Sequence, residues 1–163
     1  MMKSHEKTTR FGLIRHAETV WNREKRIQGQ LDSRLTAAGR RQAEAWGYLL
    51  KACRWDMCIC SDLDRARATA TIVNRIFNGP ITCEAGLREQ NWGRWSGRSI
   101  AQLKKEVPDL LIRLTMQGWQ FRPPGGEDRE SVWERGQRVL KAAAEKWPGT
   151  TILVVTHEGL IKC

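Results

Sequence analysis

The sequence predicts an α/β chain: a three-layer α/β/α sandwich around a mostly parallel sheet. Two observations carry the expectation. Four short apolar runs, Phe11–Ile14, Met57–Cys60, Ile81–Cys83 and Thr151–Thr156, have the length and bounding residues of buried strands. Between them lie segments with apolar residues at helical spacing, and strands that alternate with helices argue for a parallel sheet covered on both faces.

Taken in order, the first strand runs out into Arg15-His16, and Val20 to Ser33 is polar without a period, which predicts a loop over the strand ends. Thr36 opens a helix whose stripe is Ala43, Trp46, Gly47 and Leu50. After the second strand, Ser61-Asp62 offers a cap for a helix carrying Ala66, Ala70, Val73 and Phe77 on one face. Asn78-Gly79-Pro80 stops that helix before the third strand. Gly86 to Arg98, rich in Gly and Trp, reads as irregular, and two short helices split by Pro108 follow. Arg122 to Gly126 is a loop, and Ser131 with Glu134 fits a capping box. The helix it would start has Val132, Gly136, Val139, Leu140, Ala143 and Trp147 on its stripe and ends at Pro148-Gly149. Trp46, Trp133 and Trp147 are expected in the core, and Trp92 and Trp95 beside a pocket.

The 163 residues suit one domain, residues 1–163, with no repeats, linkers or low-complexity stretches. A hydrophobic share of 40% against 28% charged residues is a globular balance. The longest aliphatic run, Ile152 to Val155, is far too short to span a membrane, and Met1 to Arg10 has no apolar stretch of the kind a secretory signal needs. A cytoplasmic location is the default expectation, and His5 falls in a tail expected to be mobile. The net charge of +10 is spread along the chain, with no zinc-finger spacing and no aromatic RNA-binding signature, so no nucleic-acid partner is expected. Five cysteines, Cys53, Cys58, Cys60, Cys83 and Cys163, are an odd count; Cys58 and Cys60 share one face of a strand, and all five read as reduced, small, buried residues.

Three strand ends carry polar groups: Arg15 and His16, Ser61 to Arg65, and His157. In a parallel sheet these ends lie on one edge, where ligands bind. Arg65 falls in the first turn of its helix, where free N–H groups and the dipole favour an anion. Two arginines, two histidines and a helix start around one point suit a phosphoryl group, whose oxygens match guanidinium forks.

These residues and their order resemble the histidine phosphatase superfamily, also called the phosphoglycerate mutase-like family. The resemblance is carried by Leu13-Ile14-Arg15-His16-Ala17-Glu18-Thr19, Trp21-Asn22, Gln28-Gly29, Leu35-Thr36, Ser61-Asp62-Leu63-Asp64-Arg65-Ala66, Leu87-Arg88-Glu89, Trp92 to Gly97, Pro124 to Glu127 and Val155-Thr156-His157-Glu158-Gly159. It implies the phosphoglycerate mutase-like fold and a phosphohistidine mechanism. His16 would be the nucleophile. Arg15, Arg65 and His157 would hold the phosphoryl oxygens. Glu89 would be the proton donor and then the base. Asn22, Gln28 and Gly29 would contact the phosphate or the leaving group. Neither a cofactor nor a metal is implied, because the arginines supply the positive charge.

Two positions depart from the family's pattern, Ala17 and Glu158, each where glycine is common. A carboxylate at Glu158 would repel the substrate unless it turns away or pairs with an arginine. The resemblance also implies a longer C-terminus than Cys163 allows, so the chain is either naturally short or a fragment. If the helix that follows the last motif normally covers a sheet face, exposed apolar surface would favour instability or association into a homo-oligomer. The short span from Glu89 to His157, together with the Pro124–Glu127 loop, favours hydrolysis of a small phosphorylated metabolite over mutase-type transfer. Phosphoglycerate mutase activity and a catalytically weak phosphate-ester-binding protein are the alternatives, with a basic nucleic-acid-binding module behind both. Glu127 reads as a helix cap without a catalytic role.

Overall fold

A computed structural model describes residues 8–163, so His5 and most of the polar N-terminal segment lie outside the described residues. The chain runs through β1 (Arg10–Arg15), α1 (Val20–Arg23), α2 (Ala37–Leu50), β2 (Met57–Cys60), α3 (Asp64–Asn74) and β3 (Ile81–Cys83), then α4 (Ile100–Glu106), α5 (Pro108–Thr115), α6 (Arg129–Lys146), β4 (Thr151–Thr156) and α7 (Glu158–Ile161). The strands form one parallel sheet in the order β1-β4-β2-β3. Because β4 pairs with both β1 and β2, Arg15 lies opposite Thr156 and Cys60 opposite Val155. That register sets the starts of the three functional loops side by side.

Each face of the sheet is covered, giving the three layers the alternation predicts. Cys58, Cys60, Leu153 and Val155 pack under α2 and α3 through Ala43, Ala66, Ala70 and Val73. Met57, Ile59, Ile152 and Val154 pack under α6 and α7 through Val132, Ala143 and Leu160. β2 is buried on both faces, as a central parallel strand must be. A third apolar cluster, Trp95, Leu103, Leu111 and Phe121, joins α4, α5 and the Gly-rich segment beside the strand ends.

The structure corrects several local readings. Val20 to Ser33 contains a helical turn, α1, opened by a capping box in which Thr19 and Asn22 satisfy each other's backbone. Ser61-Asp62 does not cap α3: Leu63 is the N-cap, and the carboxylate of Asp32 accepts from the N–H groups of Asp64 (2.9 Å) and Arg65 (3.4 Å). A capping group can come from a distant loop, which local sequence cannot reveal. Asp128 caps α6 by accepting from Ser131 N at 2.7 Å, so Ser131 lies inside the helix and no Ser131–Glu134 box forms. The Gly86–Arg98 segment is irregular except for 3-10 turns at Ala85–Leu87 and Gly93–Trp95. Trp133 is 43% exposed, because it sits off the α6 stripe. Trp95 is buried in the aromatic cluster instead of lining a pocket. All five cysteines are free, yet Cys53 and Cys83 are exposed and Cys163 is half-buried; only Cys58 and Cys60 are core residues.

Candidate active site

The carboxyl edge of the sheet opens into a cleft of about 420 Å³ lined by Arg15, His16, Asn22, Gln28, Gly29, Arg65, Glu89 and Trp92, among others. His157, wholly buried, lies against its floor.

His16 continues β1, its N–H donating to Thr156 O at 2.8 Å. Its Nδ1 stands 2.8 Å from Ala17 O. A carbonyl only accepts, so Nδ1 carries the proton and Nε2 keeps its lone pair. Burial first, then the charge of Arg65, lowers its pKa from 6.5 to about 3, which keeps the ring neutral at physiological pH. The His157 ring lies 5.2 Å from that of His16, centroid to centroid. Its Nε2 meets Ser61 Oγ at 2.8 Å, and burial, then Arg65, also lowers its pKa.

Arg65 is 1% exposed at the start of α3. Its Nη1 donates to Leu31 O (2.7 Å) and Asp32 Oδ1 (2.8 Å), and its Nη2 donates to Gly29 O (2.7 Å). Three buried polar atoms have no partner among the described residues: Arg65 Nε, His157 Nδ1 and Gln28 Oε1. Arg65 and Gln28 line the cleft, and the His157 ring packs on His16, which lines it too. A buried polar atom without a partner is costly; the two nitrogens are suited to meet an anion and the Gln28 oxygen to accept from a donor.

Glu89 has its pKa raised by burial, against the pull of the Gln90 and Gly159 N–H groups and of Arg65 and Arg15. Those amides donate to Oε1 at 2.8 Å and to Oε2 at 3.2 Å. Arg15, half exposed, pairs with Glu158 at 2.6 Å, so the carboxylate that departs from the family pattern does meet an arginine. Glu158 also pairs with Lys162, and that bond first, then Arg15, lowers its pKa against the opposing effect of burial. Asn22 Oδ1 accepts from Thr19 N and Oγ1, both at 3.0 Å. Gly29 has φ +53°, and a Cβ there would stand 2.8 Å from Ser96 Oγ, so the close approach of this loop requires glycine.

The structure thus brings every sequence-predicted site residue to one edge, and adds three positioning residues. Asp32 ties down Arg65, and Ser61 holds His157. Arg135 staples the acid loop, donating to Gly86 O, Arg88 O and Glu89 O, and it pairs with both oxygens of Glu127. Glu127 is therefore an ion-pair partner and not a helix cap. Of the three only Ser61 carries a sequence signal, its place in the Ser61–Ala66 motif; the other two act across loops far apart in sequence. No group of three or more His, Cys, Asp or Glu side chains suited to a metal occurs among the described residues. Among the same residues no helix is long and apolar enough to cross a membrane.

Residues 11–163 match the model of the "Histidine phosphatase superfamily (branch 1)". A Salmonella choleraesuis protein named as a probable phosphoglycerate mutase, GpmB, is 36% identical over 151 residues, which is 93% of this chain and 70% of that protein. A mycobacterial glucosyl-3-phosphoglycerate phosphatase in complex with VO3 superposes with a TM-score of 0.85 at 30% identity, over 91% of this chain and 75% of the other. The α-ribazole phosphatase of Shigella flexneri superposes with a TM-score of 0.82 at 29% identity, over 93% and 75%.

Proposed function

The chain belongs to the histidine phosphatase superfamily, branch 1, and from that premise we propose that it hydrolyses small phosphomonoesters through a phosphohistidine at His16. The observation that carries the reading is the His16 tautomer: Nδ1 is held by Ala17 O, which leaves Nε2 as a neutral nucleophile at a cleft ringed by cations. In the first step Nε2 attacks phosphorus, the bond to the ester oxygen breaks, and Glu89 gives its proton to that oxygen. The raised pKa of Glu89 supports a carboxyl that holds a proton to give. In the second step a water attacks the phosphorus and the N–P bond breaks. Glu89 takes the water's proton, and inorganic phosphate leaves with His16 restored.

Arg15, Arg65 Nε and His157 Nδ1 stabilise the charge on the phosphoryl oxygens. Binding of the ester gives the two orphaned nitrogens the partners they lack. Asn22, Gln28 and the Gly29 loop border the phosphate or the leaving group. With positive charge supplied by side chains, turnover is expected to survive EDTA. The small organic phosphates named for the phosphatase relatives support a phosphorylated small metabolite as substrate.

Release of p-nitrophenol from its phosphate ester, abolished by His16→Ala, tests the reading. Acid quenching of wild type during turnover should trap one phosphoryl group on the His16 peptide, and its absence from a turning-over enzyme would overturn the reading. The Salmonella relative favours a second reading, phosphoryl transfer between phosphoglycerates. Interconversion of 3- and 2-phosphoglycerate outpacing phosphate release would select it.

A further inference from the structure

Two thiols outside the cleft stand in direct contact. Cys60 closes β2 and Cys83 closes β3, and the two are register partners on neighbouring parallel strands. Their Sγ atoms are 3.7 Å apart. Adjacent strands lie about 4.7–4.9 Å apart, and disulfide-bonded cysteines have Cα atoms about 4.4–6.8 Å apart, so the backbone spacing admits a bridge. The sulfurs need to approach by about 1.7 Å to reach the bonded distance of about 2.05 Å.

The two thiols differ in a way that orders the chemistry. Cys83 is exposed on the short edge strand β3, and Cys60 is buried. Burial first, then the neighbouring Cys83, raises the Cys60 thiol's pKa, so a dissolved oxidant meets the outer sulfur and not the inner one.

The residues next in the chain after each cysteine connect the pair to the site. Cys60 is joined to Ser61, whose hydroxyl holds His157 Nε2 at 2.8 Å and whose N–H donates to Val155 O at 2.9 Å. Cys83 leads through the Ala85–Leu87 turn to Glu89, and the Glu84 N–H donates to Cys60 O at 2.8 Å. The roots of the loops that present Ser61 and Glu89 are therefore the two ends a bridge would draw together.

We propose that Cys60 and Cys83 form a reversible disulfide on exposure to a peroxide, and that the bridge slows phosphoryl transfer by drawing Ser61 away from His157. The second half rests on the phosphatase reading; the first does not. A peroxide oxidises the Cys83 thiol to a sulfenic acid, releasing one water. The Cys60 sulfur then attacks the Cys83 sulfur, the S–O bond breaks, and the hydroxyl leaves as a second water with the Cys60 proton. In sum, two thiols and one hydrogen peroxide give one disulfide and two waters.

The test treats the whole chain with hydrogen peroxide, blocks remaining thiols, and maps proteolytic peptides by mass. The expected result is a peptide pair joined through Cys60 and Cys83, two hydrogens lighter than the sum of its thiols and separated by dithiothreitol. Turnover of p-nitrophenyl phosphate should fall by about 10–100-fold, in line with sub-ångström to ångström misplacement of a catalytic group, and recover on reduction. Cys83→Ser should keep basal turnover, form no linked pair and resist peroxide. The proposal is overturned by the absence of the linked pair at a dose that oxidises exposed Cys53, by a bridged protein with unchanged turnover, or by equal peroxide sensitivity in Cys83→Ser. The peptide mass reads the bridge whether or not the reduced protein hydrolyses esters, so failure of the phosphatase reading is a separate result.

Discussion

Replacing Gly159 by alanine tests the role of Glu89 by displacing its carboxyl while leaving the residue itself in place. A Cβ at Gly159 would lie 2.1 Å from Glu89 Oε1 and 3.1 Å from its Cδ, whereas ordinary contact begins at 3.4 Å. The carboxyl oxygen must therefore retreat by more than about 1 Å. The Glu89 backbone cannot follow, because its carbonyl is held by Arg135 Nη2 at 3.0 Å and Gln30 Nε2 at 3.2 Å. The side chain must swing instead, leaving its bond to the Gly159 N–H. Misplacement of about 1 Å costs on the order of 100-fold, about 2.7 kcal/mol of barrier, within the range of about 10²–10⁴ that a general acid contributes. Two substrates separate this from general damage. An alkyl phosphate needs a proton on its leaving oxygen, so its kcat should fall about 100-fold. Nitrophenolate leaves without help, so the pre-steady-state burst from p-nitrophenyl phosphate should persist while later turnover slows. Wild-type kcat on the alkyl ester, or equal loss of burst and alkyl turnover in a protein with unchanged melting, would refute the assignment of Glu89 as proton donor.

The same geometry makes three further outcomes testable. His16 ionises in the unfolded chain near 6.5 and in the folded protein near 3, so between these values the unfolded state binds more protons. Stability is then complete above about pH 6.5 and declines as pH falls; at about 1.4 kcal/mol per pKa unit His16 alone removes on the order of 4 kcal/mol by pH 3, with His157 adding in the same direction. Burial of Glu89 raises its pKa and works in the opposite direction, so the comparison is made in Glu89→Gln: urea midpoints of that variant that stay level from about pH 6.5 to 5 would contradict the burial of two neutral imidazoles. Asp32→Ala should cost about 2–4 kcal/mol in chemical denaturation, since it removes the α3 cap and leaves buried Arg65 without its counter-charge, whereas Asp32→Asn should keep part of the cap contribution. Glu158→Gln should lower KM for a phosphoester by about 1.5–5-fold, the value of a half-exposed ion pair released from Arg15, and a raised KM would show that Glu158 positions Arg15 instead of competing for it.

The alternation of strand and helix, the four strand positions and the gathering of Arg15, His16, Arg65 and His157 at one edge were open to reading in the sequence. Each depends on local period or on the rule that parallel strands end together. Closing contacts between loops were not. Asp32 reaches across 33 residues to Arg65, Ser61 across 96 to His157, and Arg135 across 46 to the Glu89 carbonyl. No propensity encodes such a pair, since each partner alone is an ordinary polar residue. For the same reason Asp128 displaced Ser131 as the α6 cap: several nearby residues were chemically able, and backbone direction chose between them.

By itself, then, the sequence determined the chemistry available: an imidazole beside an arginine at the end of an apolar run, a second imidazole likewise ending a strand, and a carboxyl between. The tertiary structure alone decided the proton states of these groups. Burial of His16 and His157 beside Arg65 lowers both pKa values, and enclosure of Glu89 raises its own, because desolvation and neighbouring charge depend on three-dimensional surroundings. The 3.7 Å separation of Cys60 and Cys83 has the same origin, a strand register that the spacing of 23 residues does not state.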